Sequence, residues 1–293
     1  MIMIIIHHVA NHLYLDVGSY SGFVPSIRFM QQLGYLGSGG FFFVSGYGMV
    51  CSLRKNEINS IYIKRKIINL YFPFLCSWIC CLISYIFTVS EIQVASLMHD
   101  FLTLGLPSNP IWFFKEIIFL YLMTLILYKL HHNEKNNIGI LLIAVVLWVL
   151  IAYFSGLNTW WWNSTLCFPL GMICAHKIKW IIDNEKSLFI TALLIFVISN
   201  LLYFFVHSSG LFQIGSSMCF SFILITIIKH LPFNIKFINY IGEKSLYYYL
   251  LQTLVFTTLC LLQDFWLLSL LTIAVCTILS FVFVGLQRAI GLK

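Results

Sequence analysis

Apolar residues occupy most of the chain in long continuous runs, broken by short polar stretches. The runs lie near 1–16, 36–53, 67–89, 110–130, 138–156, 161–176, 188–206, 213–229, 241–262 and 266–287. A helix needs about 20 residues, at about 1.5 Å of rise each, to cross the hydrocarbon of a bilayer. Most of the runs approach that length. A transmembrane barrel would instead show alternating segments of about ten residues. The pattern predicts an all-α, polytopic integral membrane protein with about ten transmembrane helices, read as one domain over 1–293.

Composition narrows the class further. Hydrophobic residues make up 60% of the chain and charged residues 9%, against roughly 25% charge in an ordinary soluble domain. So few charges cannot cover a soluble surface, which excludes soluble enzymes, disordered chains and nucleic-acid binders. The nine cysteines all fall in apolar segments and none forms a CxxC pair. They read as small buried hydrophobes and argue against both a disulfide framework and a metal site.

The net charge is +7, but in a membrane protein the placement of charge matters more than its sum. Of the 17 basic residues, all but Arg28 and Lys115 fall on one side of a ten-span arrangement. They cluster at 54–66, 129–135, 177–186, 229–244 and 288–293. The positive-inside rule makes that side cytoplasmic and puts both termini there. The opposite loops hold Asp16, Arg28, Glu91, Asp100 and Asp264. The first run is short, since Met1 to Ile6 alone precede His7, roughly 9 Å of helix. A crossing is still required there for the loop at 54–66 to lie inside. The expectation is therefore that the functional protein begins before Met1, with a Lys or Arg ahead of the apolar positions.

Charged groups inside a span cost about 2.5–3.5 kcal/mol on insertion scales, so the few ionisable groups there are candidates for function. His7 and His8 stand in the first run, with His12 one turn later. Histidine can take and return a proton near neutral pH; the plain alternative is a helix end at the lipid interface. His8 and His12 share a helix face, a spacing that also suits a metal, but no third ligand accompanies them and none is expected. Lys115 and Glu116 are adjacent and so do not face each other. Each has a partner elsewhere or snorkels to the interface. The glycine-rich run Leu36–Gly48 suits either close helix packing or a broken helix along a substrate path. Lys64, Arg65 and Lys66 suit either an anchor on anionic lipid or a grip on the phosphates of a nucleotide-bearing donor.

Five segments, taken in order, resemble the membrane-bound acyltransferase-3 family, which O-acylates bacterial surface sugars. They are Gly39-Gly-Phe-Phe-Phe-Val-Ser-Gly-Tyr-Gly48, the basic stretch from Tyr62 to Pro73, Ile111-Trp-Phe-Phe-Lys-Glu116, Phe168-Pro-Leu-Gly-Met172, and Tyr240-Ile-Gly-Glu-Lys-Ser-Leu-Tyr-Tyr-Tyr-Leu-Leu-Gln252. Each is weak alone, and their order over nearly the whole chain makes the match specific. There are three departures. The basic residue that precedes the family's essential histidine would fall before Met1. Asn69 stands where many relatives have arginine, and Gln252 where many have histidine.

The resemblance implies a membrane O-acyltransferase in the inner membrane of a bacterial cell. It would move an acyl group, with acetyl-CoA as the co-substrate, to a hydroxyl of a cell-surface polysaccharide or its lipid-linked precursor. No bound cofactor is expected. His8 matches the family's catalytic histidine, with His7 beside it. Arg65, Lys64 and Lys66 would meet the donor. Ser45, Tyr47, Trp112, Lys115, Glu116 and Gln252 would line or support the path. A transporter or flippase for a lipid-linked sugar is the alternative, weakened by the absence of a visible repeat.

Overall fold

A computed structural model describes residues 1–17, 27–88, 91–107, 111–131, 133–206, 209–230, 235–259 and 262–292. Pro110, Cys260, Lys293 and part of the stretch at 229–244, on which the sequence reading drew, lie outside these residues. Among the described residues the regular elements are all helical. They are α1 (Ile2–Asn11), which continues as a π-helical turn over His12–Val17, α2 (Ile27–Lys55), α3 (Ser60–Thr88), α4 (Val94–Leu102), α5 (Trp112–Leu130), α6 (Glu134–Phe154), a 3₁₀ turn (Thr159–Trp161), α7 (Cys167–His176), α8 (Ile178–Asp183), α9 (Glu185–Phe205), α10 (Gly210–His230), α11 (Lys236–Glu243), α12 (Ser245–Thr258) and α13 (Phe265–Ala289).

Six of these are long and apolar enough to cross a membrane: Gln32–Lys55 within α2, then α3, α6, α9, α10 and α13. The chain is thus an all-α, multi-pass membrane protein. The other four apolar runs take different forms. The first is ten residues of α-helix before the π turn. The fourth is α5, which carries Lys115, Glu116 and Lys129. The sixth is divided between the 3₁₀ turn and the ten residues of α7. The ninth is divided at Lys244, leaving 14 residues in α12. Two further details differ from the sequence reading. Arg28, expected in a loop, lies in the first turn of α2, and the loop between α3 and α5 contains α4.

The chain forms two compact units, unit 1 from residues 1–34, 60–115 and 234–293, and unit 2 from 35–59 and 116–233. In unit 1, α12 packs on α3 and α13, and α1 packs on α12 and α13. Ile5, Val9, Tyr248, Leu251, Phe265 and Leu268 lie in its buried core. Two tyrosines of the late motif tie the core to α13: Tyr248 Oη lies 2.7 Å from Thr277 Oγ1, and Tyr240 Oη lies 3.0 Å from Ser280 Oγ. Asp264 caps α13 by accepting from Leu267 N at 2.7 Å, satisfying a donor the helix leaves orphaned.

In unit 2, α9 lies along α10, and α7 packs on α6 and α10. Two sequence motifs meet here. A Cβ added at Gly46 of α2 would collide with the Phe168 carbonyl oxygen, and one added at Gly171 of α7 would collide with that of Phe43. The glycines are therefore reciprocal, each admitting the other helix's backbone, as small residues do in lipid. Gly39 is similarly close, with Ser217 Cβ at 2.9 Å from an added Cβ, whereas nothing lies within 4 Å of one added at Gly40 or Gly48. The helix ends of unit 2 are tied by charge. Arg54 donates twice to Glu134 (3.0 and 2.5 Å) and once to the Ala175 carbonyl (3.1 Å), while His176 Nδ1 lies 2.6 Å from Glu134 Oε1. Glu185 accepts from Lys229 at 2.5 Å and pairs with His230 at 2.7 Å. These contacts gather the C-terminal ends of α2 and α7 with the N-terminal end of α6, and the start of α9 with the end of α10. Each basic group then sits at a helix C-terminus and each carboxylate at an N-terminus, as the helix dipole favours. The apolar residues of α9 are largely exposed, Ile190, Leu194 and Ile198 among them, a surface suited to lipid.

Candidate functional site

Unit 1 holds His7, His8 and His12. Ile4, Ile5, Val9 and Ala10 are buried, and they anchor α1 against α12 and α13. His7 and His8, in the same turns, are carried half-buried to the edge of that core. The Asn11 side-chain amide lies one turn on and donates to His7 Nε2 at 3.0 Å. His7 is also pressed by the backbone of α2, where a Cβ added at Gly34 would come 2.6 Å from the imidazole. His8 has aromatic surroundings, with its ring 5.0 Å edge-on from His7 and 6.4 Å from Phe256. His12 stacks on Phe256 at 5.6 Å. The π turn that starts at His12 is a form often found at functional sites.

This arrangement divides the two histidines chemically. The lone pair of His7 Nε2 is used by Asn11, so that nitrogen is a poor base. His8 keeps its imidazole among hydrocarbon and aromatic groups. Gln252 lies one turn from Phe256 on α12 and so shares the face that the histidines touch. It is 3% exposed, and its Oε1 has no hydrogen-bond partner among the described residues.

The other sequence candidates of unit 1 lie on α3 and α5. Lys64 and Arg65 are exposed, while Lys66 is half-buried with Nζ 5.5 Å above the Tyr62 ring, a cation–π contact. Trp112 meets Phe113 edge-on at 6.0 Å, Phe113 meets Tyr249 at 5.1 Å, and Phe114 stacks on Phe74 at 5.2 Å. Phe113 thus packs on the late motif, and Phe114 on the residue that follows the basic stretch. Lys115 is half-buried in the same unit.

Ser45, Tyr47 and Glu116 belong to unit 2 instead. Ser45 is half-buried on α2. Tyr47 lines a small cavity of about 60 Å³ with Cys174, Phe222 and Lys229. Glu116 is buried, and its Oε2 accepts from Thr165 Oγ1 at 3.4 Å. Its partner is thus in the turn before α7. The sequence reading passed over that turn, and also Asn11, Gly34 and Phe256. Asn11 alone was open to detection, because an amide one turn after a histidine is a recurrent positioning pair. Among the described residues no three His, Cys, Asp or Glu side chains converge as metal ligands would.

A family model described as an acyltransferase domain, of the acyltransferase-3 type, matches residues 1–286. No curated protein and no solved structure matches the chain.

Proposed function

The chain belongs to the acyltransferase-3 family, and from that premise we propose that it is an O-acetyltransferase of the bacterial inner membrane, acting on a cell-surface polysaccharide or its lipid-linked precursor. All ten apolar runs cross the membrane in this reading, with both termini cytoplasmic. The charge-tied helix ends of unit 2 support it, since Arg54, Glu134, His176, Glu185, Lys229 and His230 all fall at ends assigned to the cytoplasmic side.

The observation that carries the mechanism is the imidazole of His8 in an apolar, aromatic setting beside a histidine whose Nε2 is already engaged. The acceptor's hydroxyl oxygen attacks the thioester carbonyl of acetyl-CoA while His8 takes its proton. The carbon–sulfur bond then breaks, the ester stays on the sugar, and the leaving thiolate recovers the proton, so no net proton is consumed. Lys64 and Arg65, exposed at the start of α3, hold the donor's phosphates, with Lys66 held against Tyr62 behind them. Gln252 supplies an acceptor oxygen on the histidine face, and Asn11 holds His7.

Membranes containing the protein, given radiolabelled acetyl-CoA and extracted surface polysaccharide, should place label on the sugar. Sugar translocated without label would favour a transporter instead. Absence of label from a correctly inserted protein would overturn the reading.

A further inference from the structure

The turn from α8 into α9 and the last turn of α10 form the walls of a cavity of about 730 Å³ in unit 2, within the range of about 300–1,000 Å³ usual for small-molecule sites. The chemistry above leaves it unused. Its walls have two layers. Ile182, Phe189 and Ile227 are apolar, whereas Asp183, Glu185 and Lys186 carry charge. Phe189 lies one turn into α9 from Glu185, and Ile227 lies in the last turn of α10 before His230. At about 1.5 Å of rise per residue, each stands about 5 Å further along its helix than the charged end.

That level is where the headgroups of a membrane fall. α9 and α10 are both long and apolar enough to cross, and the cavity sits at their polar ends. Trp180 of α8 is exposed beside an exposed Lys179, and tryptophan with lysine marks the boundary between hydrocarbon and water. The rim is fixed by Glu185, whose two carboxylate oxygens are taken by Lys229 at 2.5 Å and His230 at 2.7 Å, joining α9 to α10. Two lining charges of opposite sign are left, Asp183 and Lys186. Both are exposed, and neither enters an ion pair among the described residues.

We propose that this cavity binds a glycerophospholipid whose headgroup carries a phosphate and a primary ammonium, that is, a phosphatidylethanolamine. Lys186 pairs with the phosphate, Asp183 accepts from the ammonium, and one acyl chain lies against Ile182, Phe189 and Ile227. Charge complementarity selects this occupant. Phosphatidylglycerol brings an anion and no cation, so it would satisfy Lys186 and leave Asp183 beside a phosphate. Phosphatidylcholine brings both charges, but its methylated ammonium has no N–H to donate to a carboxylate. A soluble anion would leave the apolar wall facing water. Binding here does not depend on the acyltransfer reading.

The test uses the purified full chain in detergent, titrated with dioleoyl phosphatidylethanolamine, phosphatidylglycerol or phosphatidylcholine, with bound lipid counted by native mass spectrometry. The wild type should bind phosphatidylethanolamine about fivefold more tightly than either of the others. Asp183→Asn should remove that preference. Lys186→Gln should weaken all three lipids about fivefold, since each carries a phosphate. Both residues are at the surface, so neither substitution puts the fold at stake. Ile227→Trp, which fills the apolar wall, should weaken all three lipids alike. Equal binding of phosphatidylethanolamine and phosphatidylcholine by the wild type overturns the proposal, as does tighter binding of phosphatidylglycerol. A preference that survives Asp183→Asn, or binding unchanged in Lys186→Gln, overturns it equally.

Discussion

In unit 1 the buried hydroxyls of α13 mostly bond back to their own helix, as Ser269 does to the Phe265 carbonyl and Thr272 to that of Leu268. Around them the core is apolar, built from residues such as Ile5, Leu251 and Leu268. In unit 2 Thr124 and Ser221 likewise bond back to their own helices, but several other buried polar groups reach across elements. Ser38 of α2 meets Ser164, Asn163 meets Gln213 of α10, Ser217 of α10 donates to the Asn163 carbonyl at 2.9 Å, and Thr165 donates to Glu116 of α5. Lipid is as apolar as leucine, so burying apolar side chains gives no drive for helices to associate in a bilayer. Unit 1 answers with close packing and with tyrosine–hydroxyl bonds to α13, and keeps its imidazoles in surroundings of low polarity. Unit 2 answers with glycine contacts and hydrogen bonds, which fix its elements but also leave a carboxylate oxygen unmatched. His8 therefore stands among aromatic groups in the first unit, and Glu116 beside a threonine hydroxyl in the second.

The largest expected effect tests unit 1. His8→Ala should lower acyl transfer by about 10²–10⁴-fold, the usual contribution of a general base, while the protein still inserts. Near-normal acetate on the polysaccharide would remove His8 from the mechanism. His7→Ala should lower it less, because Asn11 already occupies Nε2 of that ring.

The next effect tests the packing of unit 2. Gly171→Val puts a branched side chain against the Phe43 carbonyl, and backbone cannot step aside as a side chain can. A loss of about 3 kcal/mol, the upper end for overpacking, should appear as a lower melting temperature in detergent and poor recovery from membranes. An unchanged melting temperature would mean that α2 and α7 do not meet at these glycines.

A smaller effect concerns the tied helix ends. The side chains of Arg54 and Glu134 are 43% and 21% exposed, so Arg54→Ala should cost about 1 kcal/mol. The loss should shrink at high salt, where exposed charges are screened. A melting temperature insensitive to this substitution would indicate that the pair is not formed.

The smallest effect serves as the control. Gly40→Ala adds a methyl where nothing lies within 4 Å. It should leave the melting temperature unchanged or raise it slightly, since Ala is favoured over Gly within a helix by about 0.5–1 kcal/mol. A large fall would show that the glycines of α2 all pack alike, and would erase the distinction drawn between Gly40 and Gly46.

Continuous apolar runs and sparse charge determined by themselves that this chain is helical and lies in a membrane. Six of the runs became helices of crossing length because 20 or so apolar residues in lipid have no other way to satisfy their backbone. The ordered motifs were enough to indicate the family, and the resemblance to it pointed to His8. What the tertiary structure decided is which faces meet. A helix in lipid is apolar on its buried and its exposed side alike, so periodicity does not show where its neighbours lie. The sequence therefore left open whether the glycines of α2 pack or break, and the structure pairs Gly46 with Phe168 and Gly171 with Phe43. It left Lys115 and Glu116 as neighbours seeking partners, and the structure assigns them to different units, with Glu116 bonded to a threonine 49 positions away. No local pattern joins Glu116, Asn163 and Gln213, because a hydrogen bond between helices depends on their packing and not on spacing along either one.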